Sequence, residues 1–298
     1  MKHYKYFLIF LFILYSDCIF SQTSMFTLGD RRIVFLDNAH YSLDSLDKNN
    51  MQVKYTLTCG GSFYKDRKNE FAYVLSVGNN ISKFQSAQLY SSDSLARIYE
   101  DLSPSMMLAL KYPSIVEHTN YINFYDAYYT DLVKNKVIYT GRIVSENFRY
   151  SEDIPDLKWE LCDTTQVIMG LLSQKAKCHF RGRDYIAWFS PEVPVYLGPW
   201  KFSGLPGLIL LVYDTENKFS FRATHINEAS SGNISIPQYD FTDISRKEFL
   251  KIRRQYIEDY YVTINRFSTG GIKIEPSDDN VKKANKENYD LLEFIELK

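Results

Sequence analysis

The stretch Phe180–Asp214, FRGRDYIAWFSPEVPVYLGPWKFSGLPGLILLVYD, decides how the rest of the chain reads. Leu208 to Tyr213 is apolar without a break, the pattern of a central strand covered on both faces. Upstream, Lys175 to Phe180 and Asp184 to Phe189 flank Arg181-Gly182-Arg183. Glycine tolerates positive φ at a tight tip, so this pair predicts a β-hairpin. Pro191 and Pro194 impose an extended, non-pairing segment around Glu192, and Gly198-Pro199 marks a turn. Leu205-Pro206-Gly207-Leu208 has proline and glycine in the order a type II turn uses. Trp200 and Phe202, two residues apart, share one face and cap the end of the sheet. The region reads in two ways. One is a preorganised ligand mouth rimmed by Arg181, Arg183, Trp188, Glu192, Trp200 and Lys201. The other, which the density of proline and large apolar residues favours, is a structural plug closing one end of a β core.

Working outward, strand signals dominate. Asp214 to Lys218 turns the chain, and Phe219, Phe221 and Ala223 then alternate with Ser220, Arg222 and Thr224, a strand with one wet face. Before the motif, Asn123–Leu132, Lys136–Val144, Asn147–Tyr150, Lys158–Leu161 and Gln166–Leu172 are aromatic and β-branched with polar breaks. Arg32–Leu36 and Met51–Thr58 read as early strands, the second ending at Gly60-Gly61. Residues 65–120 are expected as an insertion or lid, or else an ordinary excursion of the same domain, with a short helix over 91–102. One helix is well marked at about 245–261: Ser245-Arg-Lys-Glu248 fits a capping box, and Phe249, Ile252, Tyr256 and Tyr260 form one stripe. Its other face, with Lys251, Arg253, Arg254, Glu258 and Asp259, reads as solvated mixed charge. Leu291 to Leu297 returns as a last strand. The fold class that follows is mainly β (α+β): a curved antiparallel sheet or half-barrel with a few helices.

Lys2, His3 and Lys5 precede the apolar run Phe7–Leu14, with Ser21-Gln22 at its exit. This describes a secretory signal peptide over residues 1–21, leaving 22–298 as a single β-rich domain. A lipoprotein signal at Cys18 is the rival, but Asp17 fits a lipobox poorly. No second long apolar segment follows, so no membrane span is expected in the mature chain. The destination is the periplasm or the extracellular space. A formal net charge of −1 supplies no field toward nucleic acid. With 24 Tyr and 20 Phe, aromatics fill a β core and also suit an apolar ligand. Three cysteines remain after export, Cys59, Cys162 and Cys178; Cys162 and Cys178 fall on neighbouring strands and form a candidate disulfide, against the alternative of buried free thiols.

Gly204-Leu205-Pro206-Gly207-Leu208-Ile209 resembles the signature of the GLPGLI family, exported proteins of Bacteroidota-type bacteria with no assigned activity. The similarity extends to Gln174-Lys-Ala176, Phe180-Arg-Gly-Arg183, Ala187-Trp-Phe-Ser-Pro-Glu192, Gly198-Pro-Trp-Lys-Phe-Ser203, Trp159 and Phe294-Ile-Glu-Leu297. The family picture has a cysteine where this chain has Ser173. The resemblance implies export and a β-rich envelope protein, and it supplies no catalytic residue.

Chemistry is mostly excluded by absence of pattern. The histidines after the signal segment show no i, i+4 pair, and no CxxC, GxSxG or phosphate loop is present, so neither metal nor cofactor is expected. Glu152, Asp153, Asp156, Asp184 and Glu192 cluster in sequence and offer a carboxylate pair for a secreted hydrolase. The favoured function is non-enzymatic: binding of a lipid or other apolar small molecule, or of an outer-membrane or envelope protein. A purely structural or assembly module is the third reading, signalled by an exposed apolar patch and no pocket.

Overall fold

The computed structural model describes residues 24–28, 31–35, 42–59, 69–96, 125–143, 146–228, 230 and 232–258. The signal segment, Cys18, Gly60-Gly61 and the last expected strand lie outside them. Two antiparallel meanders of consecutive strands are joined edge to edge. The first comprises β4 (Met51–Cys59), β5 (Asn69–Val77), β6 (Ile81–Ser86), β7 (Ala127–Asp131), β8 (Lys136–Ile143) and β9 (Glu146–Asp153). The second comprises β10 (Glu160–Ile168), β11 (Leu171–Phe180), β12 (Arg183–Ser190), β13 (Leu208–Asp214) and β14 (Phe219–Asn227). β14 pairs with β4, and the short β16 (Phe241–Asp243) adds parallel to β9, giving the order β10-β11-β12-β13-β14-β4-β5-β6-β7-β8-β9-β16. Two small two-stranded sheets accompany it: β1 (Ser24–Leu28) with β2 (Arg31–Phe35), and β3 (Leu43–Lys48) with β15 (Asn233–Pro237).

This order requires curvature. β9 and β10 are successive in the chain yet ten strand spacings apart in the sheet, about 48 Å if flat. The link Ile154–Trp159 between them reaches at most about 25 Å. The sheet must therefore bend so that its two ends approach, and it is the expected mostly β, curved open sheet.

The concave face is aromatic and filled. Tyr55, Tyr139, Tyr185, Phe189, Phe202 and Phe249 are fully buried. Tyr139 stacks on Tyr150 at 4.6 Å, and Phe249 approaches Tyr139 at 4.8 Å. Each such side chain contributes about 2–3 kcal/mol of burial. Phe249 comes from α2 (Arg246–Glu258), whose capping box forms as read: Glu248 N–H donates to Ser245 Oγ and Ser245 N–H to Glu248 Oε2, both at 3.2 Å. The solvated face expected for this helix is corrected at Arg253, which is 4 % exposed. Its Nη2 donates to Asp126 Oδ2 at 2.8 Å, and Tyr139 OH donates to the other oxygen at 2.6 Å. The carboxylate offsets the cost of burying a guanidinium.

Other expectations shift. Residues 69–86, inside the stretch expected as an insertion or lid, supply β5 and β6 at the middle of the sheet. The first helix is α1 (Ala87–Ala96), earlier than 91–102, because Ser86 Oγ accepts from Leu89 N–H at 3.0 Å and starts it there. The strand read as Gln166–Leu172 breaks at Met169-Gly170, both at positive φ (54° and 82°), and these residues turn β10 into β11. Cys162 and Cys178 are free thiols. They do lie on neighbouring strands, but the register sets Leu161 against Ala176 and Thr165 against Gln174, so Cys162 sits several residues along the ladder from Cys178.

Candidate functional site

The motif segment lies between β12 and β13 and is held in small turns. Val193 N–H reaches Ser190 O, Val195 N–H reaches Val193 O, and Phe202 N–H reaches Pro199 O. The expected type II turn is replaced by a tighter one: Gly207 N–H donates to Leu205 O at 2.8 Å, a three-residue turn centred on Pro206. Leu208 N–H then goes to Val193 O and Ile209 N–H to Leu197 O, so the segment expected not to pair does pair with the start of β13. Gly207 is obligatory, since a Cβ there would stand 2.2 Å from the Ser190 carbonyl oxygen at φ 153°. Trp200 adopts φ 56°, a conformation that costs a bulky residue about 1–3 kcal/mol. It is 4 % exposed and packed between Phe180 and Phe202, and that packing offsets the strain.

Beside Trp200 the chain gathers charge. Lys201 is fully buried and its Nζ lies 2.5 Å from Glu152 Oε1. Arg181 Nη2 lies 2.7 Å from Glu152 Oε2, and Arg246 Nε 3.6 Å from the same oxygen. Lys201 also donates to Tyr150 OH at 3.2 Å and lies over the rings of Tyr128 and Trp200. Glu152 belongs to β9, Arg181 to the β11–β12 turn and Lys201 to the motif segment, so the cluster fastens together the two ends that the topology forces to approach. Trp159 Nε1–H adds a bond to Ser203 O at 2.8 Å.

Of the six residues placed on the rim of a ligand mouth, Arg181, Trp200 and Lys201 come together here. The other three sit elsewhere. Arg183 is buried against Asp214 at 2.8 Å and lies over Phe219; the same Asp214 accepts the Lys218 and Phe219 N–H groups and forms the β13–β14 turn. Trp188 is buried on β12 with Lys175 over its ring. Glu192, exposed, accepts Leu172 N–H at 2.7 Å and braces the end of β11. Gly204, Leu205, Pro206, Gly207, Leu208 and Ile209 form the turn and strand start just described, with Leu205, Leu208 and Ile209 no more than 1 % exposed.

The carboxylates of the hydrolase reading are engaged separately. Glu152 meets Lys201 and Arg181, Asp153 meets Lys136, Asp156 meets Lys158, Asp184 meets His179, and Glu192 meets Leu172 N–H. Each acid has a partner of its own, and none of these bonds joins two of them. No group of three His, Cys, Asp or Glu that could hold a metal is found among the described residues.

Two features escaped the sequence. On the convex face a cleft is bordered by Lys83, Asp93, Tyr129, Arg142 and Tyr239. Lys83 Nζ pairs with Asp93 at 2.7 Å and donates to Ser235 O, and Arg142 is sandwiched between Tyr125 and Tyr239. Its enclosed space is about 20 Å³, room for about one water. The second is an apolar row on the β10–β11 hairpin. Leu161 is 55 % exposed, Val167 68 % and Leu172 54 %. Leu161 faces Ala176 and Val167 faces Leu172 across the ladder; Ala176 and Leu172 are four apart on β11, so all three share one face. Among the described residues β10 is also an edge of the large sheet.

A family model described as "Protein of unknown function (Porph_ging)" matches residues 120–211, which contain β7 to β12 and the motif segment. No curated protein matches the chain. Two solved structures of PNGF-II, in the P21 and C2 space groups, align at 11 % identity with TM-scores of 0.46 and 0.45. They cover 71 % and 70 % of this chain but only 34 % and 33 % of theirs, so this chain spans about a third of PNGF-II. The crystal structure of the LolA superfamily protein NE2245 from Nitrosomonas europaea aligns at 9 % identity with a TM-score of 0.24, covering 61 % of this chain and 86 % of that one. No helix among the described residues is long and apolar enough to cross a membrane.

Proposed function

We propose that the chain is an exported, non-enzymatic binding protein of the GLPGLI type, which engages an apolar partner in the cell envelope through the exposed row on β10–β11. One contrast carries the reading. The aromatic concave face is occupied by the chain's own Trp200, Phe202 and Phe249, whereas Leu161, Val167 and Leu172 stand in solvent on a single face. A lipid or other apolar molecule finds the middle of the bowl already taken, so apolar binding is assigned to the exposed row at its β10 edge. Export rests on the basic and apolar pattern of residues 2–14 and the Ser21-Gln22 exit. The Glu152 cluster and the Gly207 turn are read as the fastening that keeps the bowl closed.

A photo-reactive amino acid at position 167, with position 134 as an exposed control, tests this in cells. The expected result is a discrete adduct from position 167 that is lost when Leu161→Lys and Leu172→Lys are added. Equal yields from both positions, or none from either, overturn the reading. Export is tested separately by the N-terminus of the recovered chain, expected at Gln22.

A further inference from the structure

We propose that the partner on this edge is a second copy of the chain, with β10 pairing antiparallel to β10 of that copy about a twofold axis at Thr164; the proposal rests on the docking role assigned above to the β10–β11 row.

The edge is a template. β10 runs nine residues with every position but Cys162 and Ile168 exposed. An exposed edge strand of this length presents unpaired N–H and C=O groups, and proteins usually blunt it with Lys, Pro or a very short strand. β10 contains neither Lys nor Pro, and carries two acids, Glu160 and Asp163, and one irregularity between Leu161 and Thr165. The other edge of the large sheet is treated differently: β16 has three residues, and the Arg149–Asp243 fork at 2.7 Å crosses it.

The sequence of β10 is self-complementary in one register. With the axis at Thr164, residue numbers of facing pairs sum to 328. Leu161 faces Val167 of the second copy, Asp163 faces Thr165, and Glu160 faces Ile168. No like charges oppose each other, an arrangement that costs stability when it occurs. An axis perpendicular to the sheet keeps each face on its own side. Leu161 of each copy then meets Val167 of the other beside that copy's Leu172, which forms two apolar clusters, one at each end of the seam, with Asp163 and Thr165 of both copies between them. The register shift in β10 interrupts its ladder to β11 between Leu161 and Thr165, so it spans Cys162 to Thr164 and reaches the axis from one side. It is shared by both copies, and Thr165–Ile168 of each pairs with Glu160–Asp163 of the other.

Sedimentation of the purified full chain from about 1 to 100 μM, the range in which a modest interface declares itself, is expected to show monomer passing to dimer. Leu161→Glu and Val167→Lys are each expected to weaken the dimer at least tenfold. Mixing the two variants restores association, because the substituted positions face each other across one half of the interface. Both side chains are more than half exposed, so folding is retained; a thermal midpoint checks it. As a variant independent of charge, Thr164→Cys in a Cys162→Ser background sits on the axis and cross-links between copies under mild oxidation. A wild-type chain that stays monomeric at 100 μM overturns the proposal, as does a dimer that both charge variants leave unchanged. The docking reading fails on its own terms, through the adduct at position 167: an adduct containing another protein keeps that reading while self-pairing falls.

Discussion

β11 ends in two turns of the same geometry with opposite fates. At one end Arg181 and Gly182 have φ of 50° and 76°; at the other Met169 and Gly170 have 54° and 82°. The first turn is drawn into the molecule, where Arg181 meets Glu152 and lies over Phe180 and Trp200. The second projects with Val167, Met169 and Leu172 exposed. Turn chemistry reverses the chain equally well in both. What the turn lands on decides whether it is fastening or contact surface, and that depends on the curvature of a sheet assembled from residues far apart in sequence.

Breaking the fastened end has the largest effect. Glu152→Ala leaves Lys201 buried without its carboxylate and is expected to cost about 3–5 kcal/mol, read as a lowered urea midpoint. Gly204→Ala, in the same segment, meets nothing within 4 Å but must hold φ 88°; about 1 kcal/mol is expected. At the projecting end Val167→Lys stays within about 0.5 kcal/mol of wild type, so a large loss there means that the hairpin is packed rather than free.

Chemistry along β11 sharpens the contrast. Burial, helped by the charge of Asp184, pushes the Cys178 thiol up to about 12. Burial and Asp214 do the same for Cys59, also to about 12. Iodoacetamide at pH 8 is expected to spare both in the native protein and to modify Cys162, which is partly exposed on the edge strand; peptide mass spectrometry reads the sites. A third turn, between β5 and β6, is held by a carboxylate. Burial raises the Asp47 carboxyl, but N–H groups of Asn80, Ile81 and Lys48 outweigh it and hold the group below its ordinary value. A carboxyl depressed in the fold stabilises it above the unfolded pKa, and that contribution is lost as pH falls through the folded one. The wild type is therefore expected to lose more stability than Asp47→Asn below about pH 4, a small difference visible in paired urea titrations.

Local pattern made the motif plug, the strand from Leu208, the Arg181-Gly182 hairpin and the capped helix legible in the sequence. The Met169-Gly170 turn was hidden because Ile168, Met169, Leu171 and Leu172 continue an apolar run straight across it. Arg253 looked solvated because its partner Asp126 is 127 residues away. Arg181, Trp200 and Lys201 stood together in the sequence reading, but Glu152, the partner of Arg181 and Lys201, stood only among the acids of a hydrolase, since nothing local ties β9 to a turn nearly thirty residues later. The row on β10–β11 was not legible either: exposed leucine and valine in a strand read as core until the strand proves to be an edge.

The seam between the meanders sets a schedule for synthesis. Phe219 lies opposite Cys59 and Asn227 opposite Gln52, so the seam joins residues 160 to 175 positions apart. Pairings so distant are slow to form, because a long loop must close first. As the chain emerges, β4 to β9 is complete while β4 still offers a bare apolar edge, and β14, the strand that covers it, is the last of the second meander to appear. Until then the nascent half-sheet invites wrong pairing. A holding chaperone that bound the Met51–Cys59 segment would act where the hazard is greatest, and its release would be timed by the arrival of Phe219.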